Sequence, residues 1–109
     1  MNIESIKDDI KHMKEIIKEL YVFSNQIDII KPKVLLLLGA TPLKYILDLV
    51  GITKLHGTWH EFHGIKTLPS FHPAYLLRDP RQKKFAWDDL QKIMQYLGKT
   101  LPVQETKNS

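Results

Sequence analysis

The chain has 109 residues, 43% of them hydrophobic, and carries sixteen Lys and Arg against twelve Asp and Glu, a formal net charge of +4. That length supports one domain around one core, and the absence of cysteine excludes disulfides, thiolate catalysis and any cysteine-ligated zinc or iron–sulfur centre held by these residues. The first residues lack the charged-then-apolar signal pattern and no apolar run approaches the ~20 residues of a membrane span, so the expectation is an intracellular, cytoplasmic protein with no membrane partner.

Residues 3–30 carry apolar side chains at helical steps: Ile3, Ile6, Ile10, Met13, Ile17, Leu20 and Ile27, with Ile16, Phe23 and Ile30 widening the stripe. The spacing predicts a long amphipathic helix, broken near Ser24-Asn25 if it breaks at all. Pro32 ends it, because the residue before proline avoids the helical region. Val34 to Leu38 is apolar at every position, the pattern of a central strand covered on both faces in a parallel sheet. Gly39-Ala-Thr-Pro42 then reads as a strand-to-helix turn with Thr41 as N-cap and Pro42 at the first helical position. Leu43, Ile46, Leu47 and Val50 form the buried side of the next helix, and Gly51 ends it.

Lys54 to Gly57 reads as a loop or the start of a strand. Trp59, Glu61 and Phe62 precede a His63-Gly64 turn into Ile65–Pro69, which predicts a hairpin whose second strand delivers His72. Tyr75-Leu76-Leu77 follows as an apolar run on an expected loop. The last helix carries Phe85, Trp87, Leu90, Ile93, Met94 and Leu97 on its apolar side, with Gly98 as its cap. The expected division is an amphipathic helical segment over 1–31, an α/β unit over 32–99 and a disordered polar tail over 100–109.

Three groups of residues could carry chemistry, each beside a plainer reading. His56, His60, His63 and His72 lie close in sequence, but without helical metal-site spacing or a carboxylate set to complete a site they read as surface histidines on a hairpin. Gly39 to Lys44 opens a helix with backbone donors, yet it lacks a P-loop and fits an ordinary capped turn. Lys54, Lys66, Arg78, Arg81, Lys83 and Lys84, interleaved with Trp59, Phe62 and Tyr75, form either a rim for a nucleic-acid backbone or a solvated surface. His72 itself, at a strand tip before an apolar run and a cation, is either a site residue or a hydrogen-bonded turn histidine.

Three stretches together resemble the family 4 uracil-DNA glycosylases of prokaryotes: Pro32-Lys-Val-Leu-Leu-Leu-Leu-Gly-Ala-Thr41, Gly51-Ile-Thr-Lys-Leu-His-Gly-Thr-Trp59 and Leu68-Pro-Ser-Phe-His-Pro-Ala-Tyr-Leu-Leu-Arg78. Lys-Lys-Phe-Ala-Trp-Asp-Asp-Leu90 fits the family's last helix, and the resemblance covers roughly residues 19–97. It implies a protein of base-excision repair that flips uracil out of DNA and hydrolyses its N-glycosidic bond. His72 matches the histidine that hydrogen-bonds a uracil carbonyl oxygen and stabilises charge on the departing base. Leu76 matches the apolar wedge that fills the vacated stack. Arg78 and the loop from Lys54 to Gly57 would hold phosphates, and Pro73, Ala74 and Tyr75 complete the DNA-facing turn.

The resemblance also has gaps. The family usually has Arg where His56 stands and Asn where Asp79 stands. Its water-positioning acidic loop, base-stacking aromatic and uracil-reading Asn have no counterpart in these residues. Neither do the four cysteines of its 4Fe-4S cluster, the fourth of which would fall near Lys18-Glu19. What is implied is the C-terminal half of that fold: α/β, a partial three-layer α/β/α arrangement with a short, mostly parallel sheet, preceded by a long amphipathic helix. The expected function is a truncated or split glycosylase with little activity alone, acting on uracil-containing DNA. A second chain would supply the missing half, or the chain would form a homo-oligomer. The rival is a non-catalytic DNA-binding or protein-interaction module of the same fold, and a truncated or decayed reading frame is a third reading.

Overall fold

The computed structural model describes residues 3–17, 19–23 and 32–99. The expected tail over 100–109 and the Ser24-Asn25 break lie outside the described residues. The elements run α1 (Ile3–Ile16), β1 (Leu20–Phe23), β2 (Val34–Leu38), α2 (Ala40–Leu47), α3 (Ile52–Leu55), β3 (His60–Phe62), β4 (Ile65–Ser70), α4 (Pro73–Arg78), a 3-10 turn (Pro80–Gln82) and α5 (Lys83–Leu97). The sheet order is β1-β2-β4-β3. β1, β2 and β4 are parallel, with Leu20 beside Val34 and Leu36 beside Leu68. β3 pairs antiparallel with β4 as the expected hairpin.

The run Val34–Leu38 is buried at all five positions, because the sheet is covered on both faces. On one face Leu36 and Leu68 share a core with Ile6, Ile10, Met13 and Ile17 from α1 and its C-terminal side, Leu76 from α4, and Leu90 and Ile93 from α5. On the other, Phe23, Leu35 and Leu37 pack against Ile46 and Leu47 of α2 and against Phe62 and Ile65 of the hairpin. This is the expected α/β/α layering, with the α2 side the thinner cover.

The N-terminal helix is shorter than its periodicity predicts. It ends at Ile16, and Leu20–Phe23 forms the edge strand β1. An isolated helical stripe specifies which side chains are buried, not the backbone state. The ladder offered by the edge of β2 satisfies these backbone groups while Leu20 and Phe23 stay buried.

Helix α2 also departs from the expected caps. Its N-cap is Gly39, so Thr41 lies within the first turn and is exposed, while Pro42 is buried. Asp48, in the left-handed region at φ 56°, ends the helix three residues before Gly51. Val50 is therefore 79% exposed and no part of the buried side. Gly51, at φ 103°, instead opens the single turn α3, where a loop or strand is expected. Asp48 accepts from Lys44 Nζ at 2.6 Å, which holds its carboxyl below the usual range.

Candidate functional site

The site lies at the carboxyl ends of β2 and β4, the usual crevice position in an open parallel sheet. Pro69 sits in β4 but interrupts nothing, because β3 has already ended at the His60–Thr67 pair. A proline is tolerated where no ladder needs its N–H. Its carbonyl instead accepts from Gly57 N–H at 2.8 Å, and the Ser70 carbonyl accepts from Gly39 N–H at 2.9 Å. The end of β4 is thereby tied to both neighbouring loops.

His72 follows at φ −69°, ψ 141° as the N-cap of α4, with Pro73 opening the helix. Ala74 N–H donates to His72 Nδ1 at 3.0 Å. That contact makes Nδ1 the acceptor, so in the neutral ring the proton is assigned to Nε2, which is left as a donor. A Cβ on Gly39, which stands at φ 101°, would lie 3.0 Å from His72 Cβ. The glycine thus allows the β2–α2 turn to approach the imidazole.

A cleft of about 330 Å³ opens here, lined by Gly39, Ala40 and Thr41 on one side and by Phe71, His72, Ala74, Tyr75 and Arg78 on the other, with Ile52 completing it. Phe71 and Tyr75 stack with ring centroids 5.1 Å apart. Among the described residues Arg78 has no carboxylate partner, unlike Arg81, which donates to Asp79 at 2.9 Å. Asp79 is held below the usual carboxylate range, chiefly by that hydrogen bond. An imidazole donor, a small apolar-and-aromatic cleft and a free guanidinium at its rim suit a flat polar ring attached to an anionic backbone.

The expected wedge residue is not presented. Residues 73–78 form a helix instead of a loop, and positions three apart share a helix face. Pro73 and Leu76 therefore point inward: Leu76 is 0% exposed in the main core, whereas Leu77 is 63% exposed. Withdrawing a buried leucine costs ~1.5–3 kcal/mol of transfer free energy, so insertion by Leu76 would have to overcome that, while Leu77 already stands in solvent.

The other expected residues divide. His72, Ala74, Tyr75 and Arg78 line one cleft, while Pro73 is buried and not part of the lining. Lys54 is exposed on α3 outside the lining, and Gly57 is buried against α5. Lys66 is remote: it stands near the amino end of β4, 5.9 Å from the centroid of Trp59 and 6.0 Å from that of Tyr96, while His72 follows the other end. The histidines do not converge. His56 Nδ1 donates to Asp89 at 3.0 Å, and His60 Nε2 lies 2.7 Å from Thr58 Oγ1. No described group of three His, Cys, Asp or Glu could hold a metal. With no cysteine in the sequence, a thiolate-held cluster has no ligand among these residues.

Asp89 was invisible as a site residue in the motifs. It is 2% exposed on α5 and accepts from Ser70 Oγ and His56 Nδ1. Burial pushes its carboxyl above the usual range, opposed by those two hydrogen bonds. The sequence held one signal: position 89 falls three after Ala86 and four before Ile93, on the buried stripe of α5.

The fold and cleft define an open, mostly parallel α/β protein with a strand-end imidazole. A profile of the uracil DNA glycosylase superfamily matches residues 7–91. The chain is 38% identical over 79 residues to a type-4 uracil-DNA glycosylase of Thermotoga maritima, covering 68% of this chain and 41% of that protein. It is 38% identical over 77 residues to a type-4 uracil-DNA glycosylase of Sulfurisphaera tokodaii, covering 62% and 35%. A DNA polymerase of Bacillus phage SP01 matches at 33% over 76 residues, covering 69% of this chain and 8% of the polymerase. The chain belongs to the uracil DNA glycosylase superfamily. It spans less than half the length of the glycosylases it matches.

Proposed function

We propose that this chain carries the leaving-group half of a uracil-DNA glycosylase site and contributes little turnover alone. The observation that carries the reading is the His72 imidazole, whose Nδ1 is occupied by Ala74 N–H at the cleft. Its Nε2–H can donate to a carbonyl oxygen of a flipped pyrimidine and stabilise the negative charge that develops there as the glycosidic bond breaks. Loss of such a donor typically costs ~10²–10³ in rate. Arg78 and Lys54 supply phosphate contacts, Ala74 and Tyr75 border the base, and Leu77 is the apolar side chain available to enter a vacated stack. Pro73, Leu76 and Gly57 act beneath this surface by shaping it.

Among the described residues no carboxylate lines the cleft to position an attacking water, which supports dependence on a second polypeptide for hydrolysis. α1 meanwhile supplies Ile6, Ile10 and Met13 to the core beside Leu76, which supports a chain that folds without that polypeptide. The test is uracil release from single-stranded uracil-containing DNA by the purified chain, run beside binding to the same DNA. Binding that falls with His72→Ala or Arg78→Ala, without release, is expected. Release by the chain alone that His72→Ala abolishes would overturn the half-site reading, and absence of DNA binding would overturn the DNA reading altogether.

A further inference from the structure

Resting on the reading of the His72 cleft, we propose that Asp89 is a positioning residue that clamps the two loops bordering the DNA-facing surface at a fixed spacing. Its carboxylate lies in the middle of α5, far from either helix end, so it caps nothing. A buried carboxylate is tolerated only when its oxygens are taken, and these take one donor from each loop. Ser70 Oγ–H comes from the end of β4, two residues before His72. His56 Nδ1–H, two residues after Lys54, comes from the turn that ends α3 and carries Gly57, at 3.0 Å.

The contacts continue outward from His56 and its turn. The His56 ring packs 4.4 Å from that of Phe71, which lines the cleft and stacks on Tyr75. A Cβ on Gly57 would collide with Asp89 Oδ1, so only glycine lets the loop close on the carboxylate. One turn along α5, Lys92 Nζ donates to the Gly57 carbonyl at 2.8 Å and fixes the same loop again. The set is not a catalytic triad. In a triad the serine donates to the histidine, whereas here serine and histidine both donate to the aspartate, which leaves no activated nucleophile.

Truncating one partner of such a network strands the others, so its loss is felt where the donors lead. The test uses the full chain labelled with ¹⁵N, reading the His72 ring nitrogens and the exchange of the Ala74 amide that donates to it. In Asp89→Asn and Ser70→Ala, the His72 ring shifts should move and Ala74 protection should fall about tenfold, while the Leu36 and Ile93 amides keep theirs. Wild-type His72 shifts and Ala74 protection in folded Asp89→Asn would overturn the proposal. Should Asp89→Asn not fold, the same unchanged result in Ser70→Ala would overturn it. The readout needs no nucleic acid, so it stands or falls separately from DNA binding.

Discussion

His72 does two jobs with two nitrogens, and substitutions can separate them. Nδ1 caps α4. Removing a cap costs ~1 kcal/mol, so His72→Ala should lower the free energy of unfolding in urea by about that amount. Asn is a good cap but not an imidazole, so His72→Asn should retain the stability and lose the site's DNA response. Gly39 sets the approach of the neighbouring turn. At φ 101° and ψ −179° it occupies a region open to little but glycine, and Gly39→Ala should cost ~1–3 kcal/mol while pushing on His72 Cβ. Asp89 runs the other way from most carboxylates. Its pKa is raised in the fold by burial, so its contribution to stability is fully present below the unfolded value of 3.8 and declines as pH rises through the folded value. The melting temperature of Asp89→Asn, neutral at every pH, should therefore gain on wild type as pH rises from below 3.8, in scans across the acidic range.

At the scale of elements, α4 shows how a helix reassigns neighbouring side chains. Leu76→Ala removes a fully buried leucine and should cost ~2–5 kcal/mol in denaturant unfolding. Leu77→Ala should stay within ~0.5 kcal/mol, yet weaken binding to duplex uracil-DNA. This is also where sequence reading stopped short. The strand Val34–Leu38, the hairpin turn at His63-Gly64 and the helix ending at Gly98 were all legible, because each combines an apolar pattern with a clear punctuating residue. The helix that stands in place of the expected loop at Tyr75–Leu77 was not, because six residues make under two turns and show the apolar repeat only once, at Pro73 and Leu76. Pro73 after a capping histidine was the available sign. The α2 cap moved for a related reason: the glycine needed at φ 101° could also serve as the cap. Of the cleft, His72 and Arg78 could be reached through motif resemblance. Asp89 and Ser70 act across long separations in sequence, and nothing local marks such a partnership.

For the whole molecule, the question is what covers the main core of the described residues. α1 gives the answer: its Ile6, Ile10 and Met13, with Ile17 just beyond, join the main core and cover Leu76, Leu90 and Ile93. Deleting residues 1–17 should bare that face, so the shortened chain should bind a hydrophobic dye and lose its cooperative thermal transition. The other side of the sheet has only α2 and the hairpin over Phe23, Leu35 and Leu37, and exposed Tyr45 and Val50 lie on or just beyond that layer. Bare apolar area of this kind is where further polypeptide most readily adds.

The edge strand β1 has one more consequence. Leu20–Phe23 belongs to a stretch whose side chains repeat with a helical period, yet its backbone pairs with β2. Local preference and long-range pairing disagree there, and such disagreement narrows the gap between competing states. Fluorinated alcohols strengthen helices beyond their native extent. Added in small amounts, they should convert β1 first, with helical signal rising before the aromatic signature of the core around Phe71 and Trp87 is lost. Within this chain, then, the boundary between helix and sheet is set by the neighbour and responds to the solvent.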